Sequence, residues 1–232
     1  MEREKLLAKL LNEIAVRKAV GRPLLVGIDG RCASGKTALA GELAAALAIQ
    51  SPSMEVLRLS VDGFHNARER RYRQGEFSAN GYYEDAYDYR TLIDCLLHPL
   101  SGSEFPVLCR QVSLDLRADL PDAAPPIATG ANAVLLFDGL FLFRSSINEY
   151  WDLRILLNVS SDESISRAVA RDTGVIGTAE IVRKKYALRY EPAWRIYVEA
   201  ENPARKADWI IDNEDIRNPR VAKPEGWDNC RD

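Results

Sequence analysis

One glycine-containing segment constrains the fold of this chain more than any other feature. It reads GRCASGKT at residues 30–37 and fits the pattern G-x-x-x-x-G-K-[ST]. The two glycines allow successive backbone N–H groups to turn inward around a phosphate. The lysine adds a positive charge for the β- and γ-phosphates, and the threonine hydroxyl is suited to Mg²⁺. The predicted nucleotide-binding residues here are Gly30, Ala33, Ser34, Gly35, Lys36 and Thr37.

The residues that flank this segment have the order that a phosphate-binding loop requires. Residues 24–28 form an apolar run of strand length, and residues 38–47 are rich in the helix formers Ala and Leu. The N-terminus of the following helix completes the anion site. Because further strands and helices alternate downstream, we expect an α/β fold of the P-loop NTPase type. Its sheet should be doubly wound and mainly parallel, with a mobile helical lid.

Length and composition indicate a single domain. The chain has 232 residues, of which 47% are hydrophobic, so it can bury a sizeable core. We expect one P-loop domain over residues 1–232, with a lid at about 160–190 and a loosely ordered tail at about 218–232. The net charge of −3 implies no strongly basic surface and argues against nucleic acid as a partner.

The sequence also predicts where the protein works. No apolar run approaches the roughly 18 residues of a membrane span, and the charged residues 1–5 do not resemble a signal peptide. The four cysteines form no C-x-x-C pair, which favours reduced thiols over disulfides or a zinc site. We therefore expect a cytoplasmic protein without a membrane partner. Its oligomeric state stays open, with a homo-oligomer among the alternatives.

Two carboxylates follow predicted strands and are expected beside the loop. Residues 56–61 form a strand that ends at Asp62, and the apolar run at residues 134–139 ends in Asp138. The second run has the Walker B pattern, so Asp138 is predicted to share a magnesium site with Thr37, although it could instead cap a turn. Asp62 is a candidate for the acid that a small-molecule kinase needs near the acceptor hydroxyl.

The remaining elements are predicted from periodicity and capping residues. They are an amphipathic helix at 2–19, a flap at 66–83, a helix at 89–97 capped by Asp88, two short strands within 105–116, a loop at 117–132, a strand at 153–159, a helix opened by a capping box at 160–163 and running to Arg171, a hinge at 172–177, a helix from Thr178 to about 190, and a strand at 209–212.

Residues 82–89 interleave tyrosines with carboxylates and allow two interpretations. One is the start of a helix with Asp88 as its N-cap. The other is a polar wall of a cleft for a hydroxyl-bearing substrate, with Asp85 as the main candidate. Cys32 also has two interpretations. The helix N-terminus and Lys36 would favour a reactive thiolate, whereas a small side chain would merely fill the loop.

Several segments in the same order resemble the uridine kinase family, and related P-loop kinases, including pantothenate kinase-like proteins, share parts of the layout. The segments are DGFH at 62–65 with the flap that follows it, the tyrosine- and carboxylate-containing residues 82–89, FDGLFLF at 137–143, ARD at 170–172 and KADWII at 206–211. The resemblance implies that ATP and Mg²⁺ are used to phosphorylate a primary hydroxyl, typically the 5′-OH of a pyrimidine nucleoside. It further implies that Asp62 is the general base and that Asp138 belongs to the metal site.

The same resemblance implies roles for residues outside these two carboxylates. His65, Tyr83, Asp85 and Arg110 correspond to the acceptor-binding region, and Arg167 and Arg171 to the lid arginines that contact nucleotide. Catalysis would then depend on Asp62, Lys36 and Arg171.

The chain departs from the family in the lid and in the acceptor region. The lid pattern R-R-x-x-R-D has Ala168 in place of one arginine, and the later E-R-G-R group is missing. Arg183, Lys184, Lys185 and Arg189 are candidates to replace it or are solvated charges on a helix. An N-F-D segment before residues 85–88 is also absent. The acceptor is therefore open: a nucleoside, another small alcohol of the pantothenate or sugar type, or none, in a nucleotide-dependent binding or regulatory protein.

Overall fold

A six-stranded sheet forms the centre of the protein. The structure, a computed structural model, describes residues 2–18 and 21–222. The strands of the main sheet are β1 (Leu24–Gly30), β2 (Glu55–Ser60), β7 (Ala133–Gly139), β8 (Leu153–Asn158), β9 (Trp209–Asp212) and β10 (Arg220–Ala222). Their spatial order is β10-β9-β8-β1-β7-β2, and only β10 runs antiparallel to its neighbour. The two longest strands, β1 and β7, are buried along their whole length, as expected for central parallel strands.

Helices cover both faces of this sheet. They are α1 (Arg3–Arg17), α2 (Lys36–Gln50), α3 (Arg68–Arg71), α4 (Ala79–Asp85), α5 (Tyr89–Leu92), α6 (His98–Leu100), α7 (Ser161–Asp172), α8 (Ala179–Lys185), α9 (Glu191–Glu201) and α10 (Pro203–Lys206). The doubly wound, mainly parallel α/β sheet predicted from the sequence is therefore confirmed.

The core is divided into two apolar clusters by the sheet. Leu24, Val26 and Ile28 of β1 pack on one side with α1 and α2. Leu25 points to the other side, where α4, α5 and α9 pack. The alternation follows from the two-residue period of a strand. The predicted amphipathic helix is confirmed as α1, whose buried face carries Leu6, Leu10, Leu11 and Ile14.

Two helical segments are longer than predicted because short π-helical turns continue them. Tyr186–Tyr190 joins α8 to α9, so the helical run begins after the Thr178 cap and ends at Glu201, not near residue 190. Pro192 has no backbone N–H to donate, and it lies directly after the π-helical turn, where the regular α-helical hydrogen-bond pattern is interrupted. Likewise, Ile93–Leu97 joins α5 to α6 behind the confirmed N-cap Asp88.

Small strands and helices replace part of the predicted irregular structure. The remaining strands are β3 (Val107–Cys109), β4 (Leu114–Asp115), β5 (Leu120–Pro121) and β6 (Ile127–Thr129). They form two antiparallel pairs, β3 with β6 and β4 with β5, so the loop predicted at 117–132 contains two short strands. The flap at 66–83 contains α3 and most of α4. Strand β10 lies within the predicted tail, and residues 223–232 fall outside the described residues.

None of the helices in residues 2–18 and 21–222 is both long enough and apolar enough to cross a membrane.

Candidate active site

The phosphate loop has the conformation that its glycines predict. Gly35 has φ 96° and Ala33 has φ 55°, both in the left-handed region. A Cβ on Gly30 would lie 2.2 Å from the carbonyl oxygen of Leu157 on β8. A side chain at that position would therefore displace the loop from the sheet.

Lys36 is bound by the carbonyls of its own loop. Its ammonium donates to the carbonyl oxygens of Gly30 at 2.8 Å and Arg31 at 2.7 Å. Burial lowers the pKa of Lys36, although neighbouring acids, among them Asp29 and Asp138, act in the opposite direction. The loop thus holds a charged group inside the site, where it is positioned to transfer its hydrogen bonds to phosphate oxygens.

Thr37 and Asp138 meet at the carboxyl edge of the sheet. The Thr37 hydroxyl donates to Asp138 Oδ2 at 2.7 Å, and Asp138 lies opposite both Ile28 and Ser60 in the strand register. Burial raises the pKa of Asp138, while the Thr37 hydrogen bond and Lys36 oppose that rise. Within the described residues there is no cluster of three His, Cys, Asp or Glu ligands. A hydroxyl beside a carboxylate still fits Mg²⁺, which keeps several waters and uses few protein oxygens.

A second buried carboxylate, which sequence analysis did not identify, supports the loop from behind. Asp29 has no exposed surface and accepts hydrogen bonds from the N–H groups of Gly30 at 2.7 Å and Leu142 at 3.1 Å. It also accepts from Phe143 N–H at 3.3 Å and from the hydroxyl of Tyr197. Burial raises the pKa of Asp29, opposed by these hydrogen bonds and by Lys36. The sequence feature that could have identified Asp29 is its position directly before Gly30, the first residue of the phosphate loop.

One cavity of about 390 Å³ extends from the phosphate loop to a set of aromatic and basic side chains. We call the loop side, with Ala33, Lys36, Thr37 and Asp138, the phosphate end. We call the other side, with Asp62, His65, Arg71, Tyr72, Tyr82, Tyr186, Arg189 and Tyr190, the acceptor end. With Arg171, which also lines it, the cavity brings five predicted nucleotide or metal residues together with two predicted substrate residues.

Asp62 presents an exposed carboxylate to this cavity. It lies in the 3₁₀ turn Val61–Phe64, directly after β2, where its backbone N–H is bound by Ser60 Oγ. The hydroxyl of Tyr87 approaches its Oδ1 at 3.4 Å. The carboxylate thus keeps most of its hydrogen-bonding capacity for a ligand.

His65 lines the acceptor end next to Asp62. Its Nδ1 is 2.8 Å from the carbonyl oxygen of Asp62, and its ring packs at 4.6 Å from the ring of Tyr87. Burial lowers the pKa of His65 although the nearby Asp62 acts to raise it. The histidine is accordingly a neutral hydrogen-bonding group at neutral pH.

Three residues predicted to contact substrate do not line the cavity. Tyr83 packs edge-on against Phe141 under the guanidinium of Arg144. Asp85 is buried and forms an ion pair with Arg73 at 2.6 Å inside the flap region.

Arg110 is likewise committed elsewhere, because it donates to the backbone carbonyl of Asp122 at 3.1 Å. All three side chains thus pack against or bind other parts of the protein. The polar-wall interpretation of residues 82–89 applies instead to Tyr82, which does line the cavity.

The two lid arginines occupy different positions. Arg171 lines the main cavity and forms a two-pronged contact with the carboxylate of Asp172 at 2.6 and 2.9 Å. Arg167 lies with Arg171 on an adjoining recess of about 300 Å³ beside the phosphate loop. Its guanidinium donates to Glu163 at 2.7 Å and to the carbonyl oxygen of Asn213 at 2.8 Å.

Helices α7 and α9 are connected directly to the phosphate loop. Ser164 Oγ donates to the carbonyl oxygen of Cys32 at 2.8 Å, and Arg31 pairs with Glu191 at 3.0 Å with both side chains buried. The Ser160 N-cap is confirmed, but the predicted capping box is incomplete. Glu214, not Glu163, accepts the hydrogen bond from the backbone N–H of Ser160.

The thiolate interpretation of Cys32 is wrong. Burial raises the pKa of its thiol to about 11, and Lys36 only partly opposes this rise. Although the helix N-terminus favours an anion, desolvation of the thiolate is the larger effect at this position.

The acceptor end contains aromatic residues that sequence analysis missed. The rings of Tyr82 and Tyr190 have centroids 4.9 Å apart, and Tyr186 contacts Tyr190 at 5.0 Å. The four-residue spacing of Tyr186 and Tyr190 on one helical run was the signal that could have identified them.

The sheet has the strand order β10-β9-β8-β1-β7-β2, and one cavity connects the phosphate loop to the carboxylate of Asp62. These two features together define a P-loop kinase. The sequence matches the Phosphoribulokinase / Uridine kinase family model over residues 25–217. The chain belongs to this family and is an ATP-dependent kinase that phosphorylates a small molecule.

Individual relatives and structures agree with this assignment. Uridine-cytidine kinase B of Dictyostelium discoideum is 28% identical over 82% of this chain and 74% of its own length. The uridine kinase of Halalkalibacterium halodurans is 23% identical over 82% of this chain and 86% of its own length. Other relatives are much longer, and the chain spans only 39% of Uridine kinase-like protein 5 of Arabidopsis thaliana.

The fold is similar to solved kinase structures. A possible uridine kinase from Bacillus stearothermophilus has a TM-score of 0.69 and 24% identity, with 90% of this chain and 99% of that chain covered. D-glycerate 3-kinase from Cryptococcus neoformans has a TM-score of 0.59 and 12% identity, with 94% and 99% covered. These similarities show the fold alone.

Proposed function

We propose that this kinase transfers the γ-phosphoryl group of ATP to a hydroxyl of a nucleoside, uridine or cytidine-like, or of a similar small alcohol. The main support is the continuous cavity between Lys36 of the phosphate loop and the carboxylate of Asp62. A hydroxyl held at Asp62 can approach the γ-phosphorus while the nucleotide phosphates occupy the loop.

The proposed reaction assigns one step to each set of residues. The acceptor oxygen forms a bond to the γ-phosphorus, the bond to the bridging β–γ oxygen breaks, and ADP leaves. The hydroxyl proton passes to the Asp62 carboxylate, which also orients the hydroxyl. Lys36 and Arg171 stabilise charge on the phosphate oxygens. Thr37 and Asp138 would hold Mg²⁺, which neutralises charge on the β- and γ-phosphates when bound.

Two observations bear on the identity of the acceptor. Tyr82, Tyr186 and Tyr190 offer aromatic faces on which a base could stack, and relatives named uridine-cytidine kinases support a nucleoside. A different alcohol, of the pantothenate or sugar type, is a second candidate. It is favoured by the positions of Tyr83, Asp85 and Arg110 away from the cavity.

The test is a panel of alcohols assayed with Mg-ATP. Uridine, cytidine, purine nucleosides, pantothenate and simple sugars are each added, and both ADP release and the phosphorylated product are measured. We expect one nucleoside to stimulate ADP release above the enzyme-alone rate and to appear as its monophosphate. Stimulation by pantothenate or a sugar alone would replace the nucleoside proposal. If no alcohol is phosphorylated, a nucleotide-dependent binding or regulatory role takes precedence.

Three organisational predictions accompany this proposal. We propose one kinase domain with the lid at residues 160–190, a cytoplasmic location, and a chain that needs neither nucleic acid nor a membrane. A homo-oligomer is the open alternative to a monomer. Sedimentation of the purified protein over a concentration range would decide between these two states.

A further inference from the structure

One buried arginine connects the helical run of residues 179–201 to the flap at residues 66–83. Only 3% of the surface of Arg189 is exposed. Its Nη1 donates to the backbone carbonyl oxygen of Glu76 at 2.9 Å and lies within 3.4 Å of those of Gly75 and Ser78. Its Nη2 donates to the backbone carbonyl oxygen of Arg71 at 3.3 Å. A single side chain therefore contacts four backbone carbonyls of the flap.

Two aromatic rings of the flap enclose the same guanidinium. The carbon at its centre lies 4.9 Å from the ring centroid of Tyr72 and 4.9 Å from that of Tyr82. A planar group with five donors can stack on rings and donate in its plane at the same time. A lysine ammonium could reproduce the charge but not this set of contacts.

Neighbouring basic residues on the helical run contact the same part of the flap. Lys185 pairs with Glu76 at 3.1 Å, and the ammonium of Lys184 lies 5.0 Å from the ring centroid of Phe77. These pairs are more exposed than Arg189 and therefore stabilise the position of the flap less than Arg189 does. On its other side the flap is held by Asp119, whose ion pair with Arg71 is also partly exposed.

The segment that Arg189 fixes forms part of the acceptor end of the cavity. Tyr72 and Tyr82 line the acceptor end together with Arg189 itself. None of the contacts of Arg189 described above involves the phosphate loop, Thr37 or Asp138. Displacement of the flap would therefore change the shape of the acceptor end and leave the phosphate end in place.

We propose that Arg189 is a positioning residue that holds the flap over the acceptor end and thereby sets the affinity for the acceptor. This role rests on the proposed transfer to an alcohol at Asp62. It also assigns a function to one of the basic residues considered as replacements for the missing lid arginines: Arg189 binds the flap backbone in place of a nucleotide phosphate.

The first test measures hydrogen exchange and needs no acceptor. The backbone N–H groups of Tyr72, Arg73, Gly75 and Ser78 are hydrogen-bonded within the flap and report its order. In Arg189→Met we expect these amides to exchange at least ~10-fold faster, because several hydrogen bonds from a charged group are lost. Arg183→Met is the matched control, since Arg183 is exposed on the same helical run.

The second test separates the two ends of the cavity kinetically. Transfer from Mg-ATP is measured with uridine, or with the panel alcohol that is phosphorylated if uridine is not. For Arg189→Met and Arg189→Lys we expect the KM for the acceptor to rise at least ~10-fold, with the KM for ATP within ~2-fold of wild type. Arg189→Lys keeps a cation at the site, and it replaces Arg189→Met in this test if Arg189→Met does not fold.

Distinct results would overturn this proposal. Unchanged amide exchange in a folded Arg189 variant would show that the contact does not hold the flap. Equal rises in both KM values would show a general structural role. If no alcohol is phosphorylated by the wild type, the proposed function fails, whereas the exchange experiment still decides whether Arg189 orders the flap.

Discussion

The phosphate end and the acceptor end of the cavity are built in different ways. The phosphate end takes Ala33, Lys36 and Thr37 from one short segment, and backbone groups provide much of its chemistry. The acceptor end collects side chains from the turn after β2, from the flap and from the helical run at 179–201. The loop that contacts phosphate is therefore encoded in one local segment, although Asp138 and the support of Asp29 come from distant residues, whereas the whole acceptor end depends on tertiary packing.

The two ends also differ in the state of their ionisable groups. Lys36 and Asp138 at the phosphate end are buried charges with hydrogen-bond partners. At the acceptor end, burial raises the pKa of Tyr82 well above the ordinary tyrosine value. Tyr82 is therefore neutral at physiological pH and can donate a hydrogen bond. The phosphate end is suited to stabilise charge, whereas the acceptor end combines the charged Asp62, Arg71 and Arg189 with neutral tyrosines that can orient a hydroxyl group.

The largest effect that would separate the two ends is expected from Asp62→Asn. The change removes the base and its charge but keeps the size of the side chain. Acceptor-dependent transfer should fall by ~10²–10⁴-fold, the range for loss of a general base. Affinity for Mg-ATP should change far less, because Lys36, Thr37 and Asp138 are untouched. Transfer rate and ATP affinity are measured in parallel.

An unchanged transfer rate in this variant would remove Asp62 from the mechanism. An equal loss of ATP affinity would show that the two ends do not act separately.

Lys36→Ala tests the phosphate end directly. Removal of the ammonium that faces the β- and γ-phosphates should lower turnover by at least ~10²-fold while the fold is retained. Circular dichroism checks the fold, and ADP release measures turnover. Lys9→Ala, at an exposed position on α1, is the matched control and should behave as wild type. Near wild-type turnover of a folded Lys36→Ala protein would contradict the assignment of the phosphate loop.

Cys32 provides a chemical test of burial at the phosphate end. With a pKa of about 11, its thiol is almost entirely protonated at pH 7.5. It should react with iodoacetamide on the order of 10²-fold more slowly than a thiol of ordinary pKa. Peptide mass spectrometry follows Cys32 and, in the same sample, Cys95, which is half-buried as Cys32 is. Faster labelling of Cys32 than of Cys95 would show that its environment favours the thiolate after all.

The smallest effect concerns His65 at the acceptor end. Burial lowers its pKa in the folded state below the unfolded value of about 6.5. As the pH falls below about 6.5, the unfolded chain therefore binds more protons than the folded protein does. The contribution of His65 to the free energy of unfolding is fully present above that pH and is lost as the pH falls further. Between pH 7 and 5.5, wild type should lose more of its free energy of unfolding than His65→Gln, by at most about 1 kcal/mol.

Urea denaturation of both proteins at the two pH values measures this difference. Parallel losses would show that His65 titrates alike in both states.

The sequence predicted those parts of the molecule whose structure is determined by residues close together in the chain. The order of strand, loop and helix around Gly30 requires only a run of about 25 residues, and the carboxyl ends of parallel strands share one edge. For these reasons the loop, Asp62 and Asp138 were correctly expected close together. The face of α1 and the cap at Asp88 follow from similarly local rules.

The acceptor end could not be predicted to the same extent. Tyr82 and Tyr83 are consecutive in α4, so their side chains point about 100° apart and only one can face the cavity. The sequence does not say which one. Asp85 was expected in the cleft, but Arg73 in the flap neutralises it. The partners of Arg189 are backbone carbonyls more than 100 residues away, at positions with no sequence signature.

The hydrogen bonds of Asp29 have a consequence for synthesis of the chain. Its carboxylate is satisfied by residues 113 and 168 positions downstream, at Leu142 and Tyr197. A nascent chain on the ribosome therefore displays the complete GRCASGKT segment long before the groups that support it have emerged. Until Tyr197 is available, Asp29 must stay hydrated, and the loop lacks its buried support. We expect affinity for ATP to appear late in translation and nearly all at once, so that incomplete chains do not sequester the nucleotide.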